Sequence, residues 1–439
     1  MGVGLSAIMI LLPLLPLLLA PAQDSGPVPP PPSRVLERAN QRPNILLIVG
    51  DDMGVDLVSA YGEAPNPPCT TNLDALAAGG LLFRNAWANP RCAPTRAALM
   101  TGRYGFRTGI GGSPGLDLAE TILPEQLLGY ANSALGKWHL GSNQQWPTHP
   151  LDSGFAHFSG SRANINDYFD WTKTVDGQSF PETGYATTVT TDDAIAAVLT
   201  LPQPWFVYVA YNAPHGPTHA PPGALCGCPV PTSCDAPQNN TEQVKAMVEA
   251  LDTEIGRLLT VVDAVDPDTL VVFLGDNGTG NAGSEPPFDS SKNKGTLYEG
   301  GVNVPLIVRG TGVVTGESDA LVGATDLFAT FSELAGVSSQ AEDSVSLVPY
   351  FQGQTGSIRS HVYAELFSPG GQGPYTSHTR AVRNGRYKLI RAIGADDELY
   401  DLLTDPFEDD DLFPTLVDPS PEWDAYQDLV AELVDLGVD

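Results

Sequence analysis

The sequence predicts an α/β fold: a large mixed, mostly parallel sheet sandwiched by helices, with a smaller C-terminal antiparallel sheet plus helix. The stretch NILLIVGDD (44–52) is a continuous apolar run ending in carboxylates, as expected of a strand buried on both faces of a parallel sheet. PWFVYVAYNAPH (204–215) and TLVVFLGDNG (269–278) repeat that design, each delivering polar residues at the C-terminal end of a strand. Helical periodicity fills the intervals, and beyond about residue 340 the alternation gives way to short strands around a hairpin signal.

In chain order, residues 1–22 read as a signal peptide. LSAIMILLPLLPLLLA is an apolar run followed by Ala20-Pro21-Ala22, whose small residues fit a signal-peptidase site, so cleavage is expected after Ala22 and the mature protein is expected to be exported and soluble. An uncleaved membrane anchor is disfavoured because the run is at the short end of the roughly 17–25 residues a spanning helix needs. Pro13 and Pro16 also interrupt it. Residues 23–41 form a Pro-rich linker without apolar periodicity.

The larger domain is expected over residues 42–338. Val244, Met247, Val248, Leu251, Ile255, Leu258, Leu259 and Val262 recur at three- and four-residue steps, predicting a packing helix over 241–262 with Thr241 as N-cap. TDLFATFSELAG (325–336) predicts another helix, ended by its glycine, and VPLIVRG (304–310) is a fourth strand candidate. Residues 339–439 read as a small α+β subdomain. There HVYAELF, HTRAVRNGRYKLIR and DDELYDLL are strands, Asn384-Gly385 is a hairpin turn, and PEWDAYQDLVAELVDLG is a closing helix.

Composition excludes some functions. With 22 basic and 52 acidic residues the 439-residue chain carries a net charge of −30, which repels nucleic acid and anionic membrane surfaces. No nucleic-acid partner and no stable membrane association are expected. The five cysteines are an odd number for an oxidising compartment. Cys226, Cys228 and Cys234 sit in one Pro/Gly-rich loop, where disulfides, with Cys69 available, are preferred to zinc because no histidine or further CxxC pair has fitting spacing. Cys92 is the residue left over.

The chemistry-bearing residues gather at predicted strand ends. Adjacent carboxylates such as Asp51 and Asp52 repel each other unless a cation lies between them, and Asp276 with Asn277 supplies further oxygen donors. Either pair alone reads as a cap or turn; at the ends of two neighbouring strands they read as a Ca2+ or Mg2+ site. In GKWHLG, Lys137 and His139 are two apart, so on an extended segment both point one way and would meet an anionic group. NAPHGPTHAPP offers His215, nearer the strand end, and His219, expected at the surface, while SKNKGTLYEGG supplies Lys292 and Lys294.

The ordered set VGDDMG, CAPTR…LMTGR, GKWHLG, NAPHGP, GDNG and KGTLYEGG, covering roughly residues 42–310, resembles the type I sulfatases of the alkaline phosphatase superfamily. GRYKLI and ELYDLLTDP extend the resemblance to about residue 410. The resemblance implies that Cys92 is oxidised to Cα-formylglycine by a formylglycine-generating enzyme during export-linked maturation. It implies one divalent ion, Ca2+ in most of the family, bound by Asp51, Asp52, Asp276, Asn277 and the modified Cys92. It further implies that Arg96 holds the formylglycine and that Lys137, His139, His215 and Lys294 contact the sulfate and its ester oxygen. The implied reaction is hydrolysis of a sulfate monoester: the hydrated aldehyde attacks sulfur, His215 with Lys294 protonates the leaving alcohol, and His139 as base expels sulfate.

Two departures stand out. Family members often have a basic residue where this chain has Asn303, and the subsite residue placed after GKWHLG has no clear counterpart, Asn164 being nearest. Two other readings stay open: a phosphate or phosphonate ester hydrolase of the same superfamily, and an exported, non-catalytic binder of sulfated ligands with Cys92 unmodified. The substrate is expected to be a small sulfate ester or a sparsely sulfated saccharide. Arg84, Arg91, Arg96, Arg103 and Arg107 are expected around the nucleophile, and six more basic residues fall between Arg359 and Arg391, leaving the rest of the surface acidic.

Overall fold

Alternate residues of strand β1 (Ile45–Gly50) enter different cores. Ile45, Leu47 and Val49 join one with Phe83, Phe206 and Tyr208, while Leu46 and Ile48 join another with Val207, Val209, Leu251 and Ile255. A strand buried this way has no polar face, which is why its sequence is a continuous apolar run. The computed structural model describes Met1 and residues 42–227, 237–288, 290–339 and 341–439. The expected signal and linker, and Cys228 and Cys234, lie outside the described residues.

From the start of the fold the chain forms helix α1 (Thr71–Ala78), β2 (Leu81–Trp87), α2 (Cys92–Thr101), β3 (Ala131–Lys137), β4 (Phe158–Ser161), β5 (Trp171–Val175) and β6 (Gln178–Glu182). There follow α3 (Ala186–Thr200), β7 (Trp205–Ala210), α4 (Asn240–Val265), β8 (Leu270–Gly275), β9 (Leu306–Arg309), β10 (Gly316–Gly323) and α5 (Asp326–Leu334). The chain closes with β11 (Val362–Ser368), β12 (Ser377–Arg383), β13 (Tyr387–Ala392), β14 (Glu398–Asp401) and α6 (Pro421–Asp435).

The ten-stranded sheet has the order β10-β2-β9-β8-β1-β7-β3-β4-β5-β6. Strands β8, β1, β7, β3 and β4 run parallel, so the ends of β1, β3, β7 and β8 lie at one edge of adjacent strands, where α/β sheets bind ligands. Strand β9, the fourth candidate from sequence, runs antiparallel to both β8 and β2. Helix α4 covers one face with all eight of its predicted apolar positions buried. Its N-cap is Asn239, whose side chain accepts from the Glu242 amide, and not Thr241, whose hydroxyl donates to the Ala282 carbonyl. Asp252, also on α4, accepts from the Asn72 and Leu73 amides and so satisfies two unpaired donors at the start of α1. Helices α2 and α5 cover the other face through Ala93, Ala97, Met100, Leu327 and Phe331.

The second sheet, β11-β12-β13-β14, is antiparallel, and α6 packs on it through Leu429 and Leu433. Trp87 and Leu321 of the large sheet share a core with Val362 and Ala381 of the small one, and Arg42–Asp439 form one compact unit. The β12–β13 turn uses Asn384 as expected, but through its side chain, which accepts from the Arg386 and Tyr387 amides. No described helix is long and apolar enough to cross a membrane.

Candidate active site

Asp51 and Asp52 follow β1, Lys137 ends β3, His215 follows β7, and Asp276 and Asn277 follow β8, so four neighbouring strands deliver one cluster. Cys92 arrives from the side, as the first residue of α2, where Pro94 in the first turn costs no intrahelical hydrogen bond. The loop before it is clamped because the Asn89 amide donates to Thr95 Oγ1 at 2.9 Å. Lys294 is tied to the same loop, since the Gly295 amide donates to the Pro90 carbonyl at 2.8 Å. Close backbone approach permits that packing: a Cβ on Gly278 would lie 1.8 Å from the Gly300 carbonyl oxygen and one on Gly301 2.2 Å from the Thr296 carbonyl oxygen, which accounts for glycine in both GDNG and EGG.

Ligand atoms of Asp51, Asp52, Cys92 and His215 all lie within 4.8 Å of one another. Asp51 Oδ2 accepts from Lys137 Nζ, while Asp51 Oδ1 is buried with no hydrogen-bond partner. Asn277 donates to Asp52 Oδ1 at 2.9 Å and leaves its own buried Oδ1 without a partner. Lys294 Nζ pairs with Asp52, and His215 Nε2 stands 3.9 Å from Asp52 Oδ2. Two buried oxygens lacking donors, beside two carboxylates, fit a hard cation. Burial raises the Asp51 carboxyl, but Lys137, His215, Arg96 and Lys294 outweigh it and hold Asp51 well below the usual carboxylate range. Burial, then Asp51, pushes the Cys92 thiol up.

Arg96 is wholly buried. It donates to Asp276 Oδ2 from Nε and Nη2, to the Lys137 carbonyl at 2.7 Å, and to the Tyr208 hydroxyl at 3.3 Å, so it braces residues from β3, β7 and β8 together. Burial raises the Asp276 carboxyl to about 6. His139 enters the cluster by a different route from the extended segment expected: it is left-handed, with φ 58°, and its amide donates to the Arg162 carbonyl at 2.7 Å. Burial, then Lys137 and Arg96, pushes the His139 imidazole well below its usual range, and its Nδ1 is buried without a partner. Asp52 is also left-handed, φ 65°, so two strained residues mark this site.

The structure thus gathers Asp51, Asp52, Cys92, Arg96, Lys137, His139, His215, Asp276, Asn277 and Lys294. Other candidates fall elsewhere. Lys292 reaches the Glu408 carbonyl and Asp409, and Asn303 donates to the Arg84 carbonyl. His219 is half-buried against Tyr168 and Tyr185 instead of lying free at the surface, and Asn164 is exposed. Arg84, Arg103 and Arg107 pair with Glu317, Glu120 and Asp343 and do not surround the nucleophile. Sequence reasoning missed Tyr208 and Tyr168. The Tyr168 hydroxyl donates to the Asn212 and His215 carbonyls at 2.7 Å each, fixing the loop that carries His215. Tyr208 had one signal, a phenol in a strand otherwise wholly apolar.

Comparison with known proteins identifies the family. The sulfatase family model matches residues 43–337, and that of the C-terminal region of N-sulphoglucosamine sulphohydrolase matches residues 290–433. N-acetylgalactosamine-6-sulfatase of Homo sapiens is 34% identical over 366 residues, 71% of this chain and 66% of that protein. Arylsulfatase G of Rattus norvegicus is 30% identical over 427 residues, 80% of this chain and 76% of its own. The chain spans 66% of the length of the N-acetylgalactosamine-6-sulfatases it matches, just under two thirds. Among solved structures, Ps i-CgsB in complex with k-i-k-neocarrahexaose superposes with a TM-score of 0.78 at 27% identity, covering 90% of this chain and 93% of that one.

Proposed function

The chain belongs to the sulfatase family of the alkaline phosphatase superfamily, and from that premise we propose that it hydrolyses sulfate monoesters, with Cys92 converted to Cα-formylglycine as nucleophile and one Ca2+ at Asp51, Asp52, Asp276 and Asn277. The observation that supports this reading most directly is the pair of donorless buried oxygens, Asp51 Oδ1 and Asn277 Oδ1, in the cluster that holds Cys92. When present, the cation supplies Lewis acidity toward the sulfuryl oxygens, and the aldehyde supplies a hydrated carbonyl that serves as nucleophile at neutral pH.

The chain's own residues supply the rest. Lys137 and Lys294 are preorganised cations for the charge that develops on sulfate, and burial strengthens their effect. His139, held neutral, accepts a proton at Nδ1 in the tautomer that carries hydrogen on Nε2. His215 Nδ1 faces the Gly216 carbonyl at 2.8 Å, which directs Nε2 toward Asp52 and the leaving alcohol. Arg96 keeps Asp276 and the Lys137 backbone in register throughout.

The substrate class in this reading is a sulfated saccharide or small sulfate ester, supported by the saccharide sulfatase among the relatives and the carbohydrate held by the structural neighbour. A formylglycine-generating enzyme acts on Cys92-Ala93-Pro94-Thr95-Arg96 before folding buries it. Disulfide-bonded Cys69 and Cys226 support export to an oxidising compartment. The test is mass spectrometry of the peptide containing position 92 from exported protein, with a panel of sulfate, phosphate and phosphonate esters. An aldehyde and selective sulfate release are expected; an unmodified thiol in protein that still releases sulfate overturns the nucleophile.

A further inference from the structure

Nearly every positive charge among the described residues of this acidic chain is committed. Among the described residues, every arginine and lysine except Arg91 and Arg162 has a carboxylate, carbonyl or aromatic partner. Both exceptions are exposed, and no described group pairs with either guanidinium. Both also flank the active site. Arg91 directly precedes Cys92 as the N-cap of α2, and the Arg162 carbonyl accepts the amide of His139.

Neither position is explained by folding. An N-cap arginine offers no acceptor to the helix amides and places a cation at the positive end of the helix dipole, which is unfavourable. Arg162 stands on a fastened segment: Ser161 Oγ donates to the Ala163 carbonyl at 2.9 Å and Asn212 Nδ2 to the same oxygen at 3.3 Å. A chain of net charge −30 offers partners to free guanidinium groups nearly everywhere else.

We propose that Arg91 and Arg162 form a second anion subsite beside the reacting sulfate, so that the saccharide bearing the cleaved ester also carries another oxyanion, a carboxylate or a second sulfate. This rests on the sulfatase reading above and narrows its substrate class. Guanidinium forks bind either oxyanion through paired N–H donors, and these two stand on separate segments whose backbones are fixed beside Cys92 and His139.

The test compares three probes: a hexosamine monosulfate, the matching disulfate, and a monosulfated disaccharide carrying a uronate. Sulfate release gives kcat and KM for wild type, Arg91→Gln, Arg162→Gln and the control Arg42→Gln, whose guanidinium sits against Leu128 and Tyr130. The wild type is expected to prefer one doubly anionic probe by about tenfold in kcat/KM, the favoured probe identifying sulfate or carboxylate. Each site variant loses about tenfold of that preference through KM, added salt erodes it, and Arg42→Gln keeps it. A wild-type preference near one, or a preference unchanged in either site variant, with sulfate still released from the monosulfate, overturns the subsite alone. Failure to release sulfate from any probe overturns the sulfatase reading and the subsite with it.

Discussion

Arg96 binds Asp276 through one carboxylate oxygen, Oδ2, with Nε at 3.0 Å and Nη2 at 2.7 Å, and both side chains are wholly buried. The other carboxylate oxygen accepts the Asp52 amide at 3.1 Å, so the pair also sets the strained backbone at Asp52. Arg96→Ala leaves a buried carboxylate without its cation, a change that costs about 3–5 kcal/mol. Arg96→Lys keeps the charge but loses the planar fork that reaches Asp276, Lys137 and Tyr208 together. Urea denaturation is expected to rank wild type above Arg96→Lys and Arg96→Ala last; equal midpoints for all three proteins contradict the bracing role.

Cation binding is tested most cleanly at Asn277. Asp51→Ala strands the wholly buried Lys137, so it damages folding as well as chemistry. Asn277→Ala removes a donorless oxygen and one hydrogen bond to Asp52. It is expected to lower kcat by about a hundredfold or more, with little change in melting temperature. Chelation of the wild type is expected to abolish turnover, with recovery on adding Ca2+. Full turnover after thorough chelation contradicts the assignment.

The sequence revealed the site where chemistry coincides with strand ends, because an apolar run that stops at a carboxylate marks both the strand and its ligand-facing edge. Asp51, Asp276 and His215 were legible for that reason. Lys137 and His139 were found for an incomplete reason, since His139 turns inward through a left-handed residue that period-two alternation cannot describe. Tyr208, Tyr168 and the role of Arg96 as brace were hidden because each depends on which strands become neighbours, and short-range pattern carries no strand order. Strand β9 reads like its parallel neighbours because burial on both faces erases alternation whatever the direction.

Position 92 separates a maturing nucleophile from a thiol. Serine nearly preserves the buried volume, so Cys92→Ser is expected to fold like wild type by melting temperature. Its alcohol has no second hydroxyl through which a sulfate ester can be expelled, so multiple turnover is expected to disappear and protein incubated with substrate to gain the mass of one sulfuryl group. Steady turnover near the wild-type rate in this variant contradicts the formylglycine assignment.

A second titration lies just outside the site. Asp56 is buried, accepts a hydrogen bond from Thr279 Oγ1 at 2.6 Å, and faces Glu63 and Glu285, with no cation among the described residues paired to it. Burial raises its carboxyl from 3.8 to about 6. Between those values the folded state keeps a proton that the unfolded chain has lost, so stability falls as pH rises through the window, by roughly 2–3 kcal/mol. Asp56→Asn keeps an acceptor for Thr279 without the charge. It is expected to be more stable than wild type at pH 7.5 and to flatten the slope between about pH 4 and 6, measured by urea denaturation across pH; a variant with the wild-type slope contradicts the assignment.

Chain length of the substrate provides the last test. A basic track beside the active site would favour long polyanions, and the six basic residues between Arg359 and Arg391 are the sequence's one other concentration of positive charge from which to build it. All six are spent within the fold: Arg359 on Asp326, Arg380 on Asp439, Arg383 and Lys388 on Glu299, Arg386 on Asp401, and Arg391 on Asp397. The field outside the pocket is therefore that of the acidic surface, which is expected to repel a dense polyanion before it docks, whereas on the subsite proposed above a short saccharide with one extra anion is the better match for the unpaired Arg91 and Arg162. At low salt, kcat/KM for a small aryl sulfate is expected to exceed that for heparin-like chains by at least about tenfold, and the gap is expected to narrow as salt screens the repulsion. A heparin-like chain that is the better substrate at low salt, and loses its advantage as salt rises, would show an attractive track and overturn this prediction.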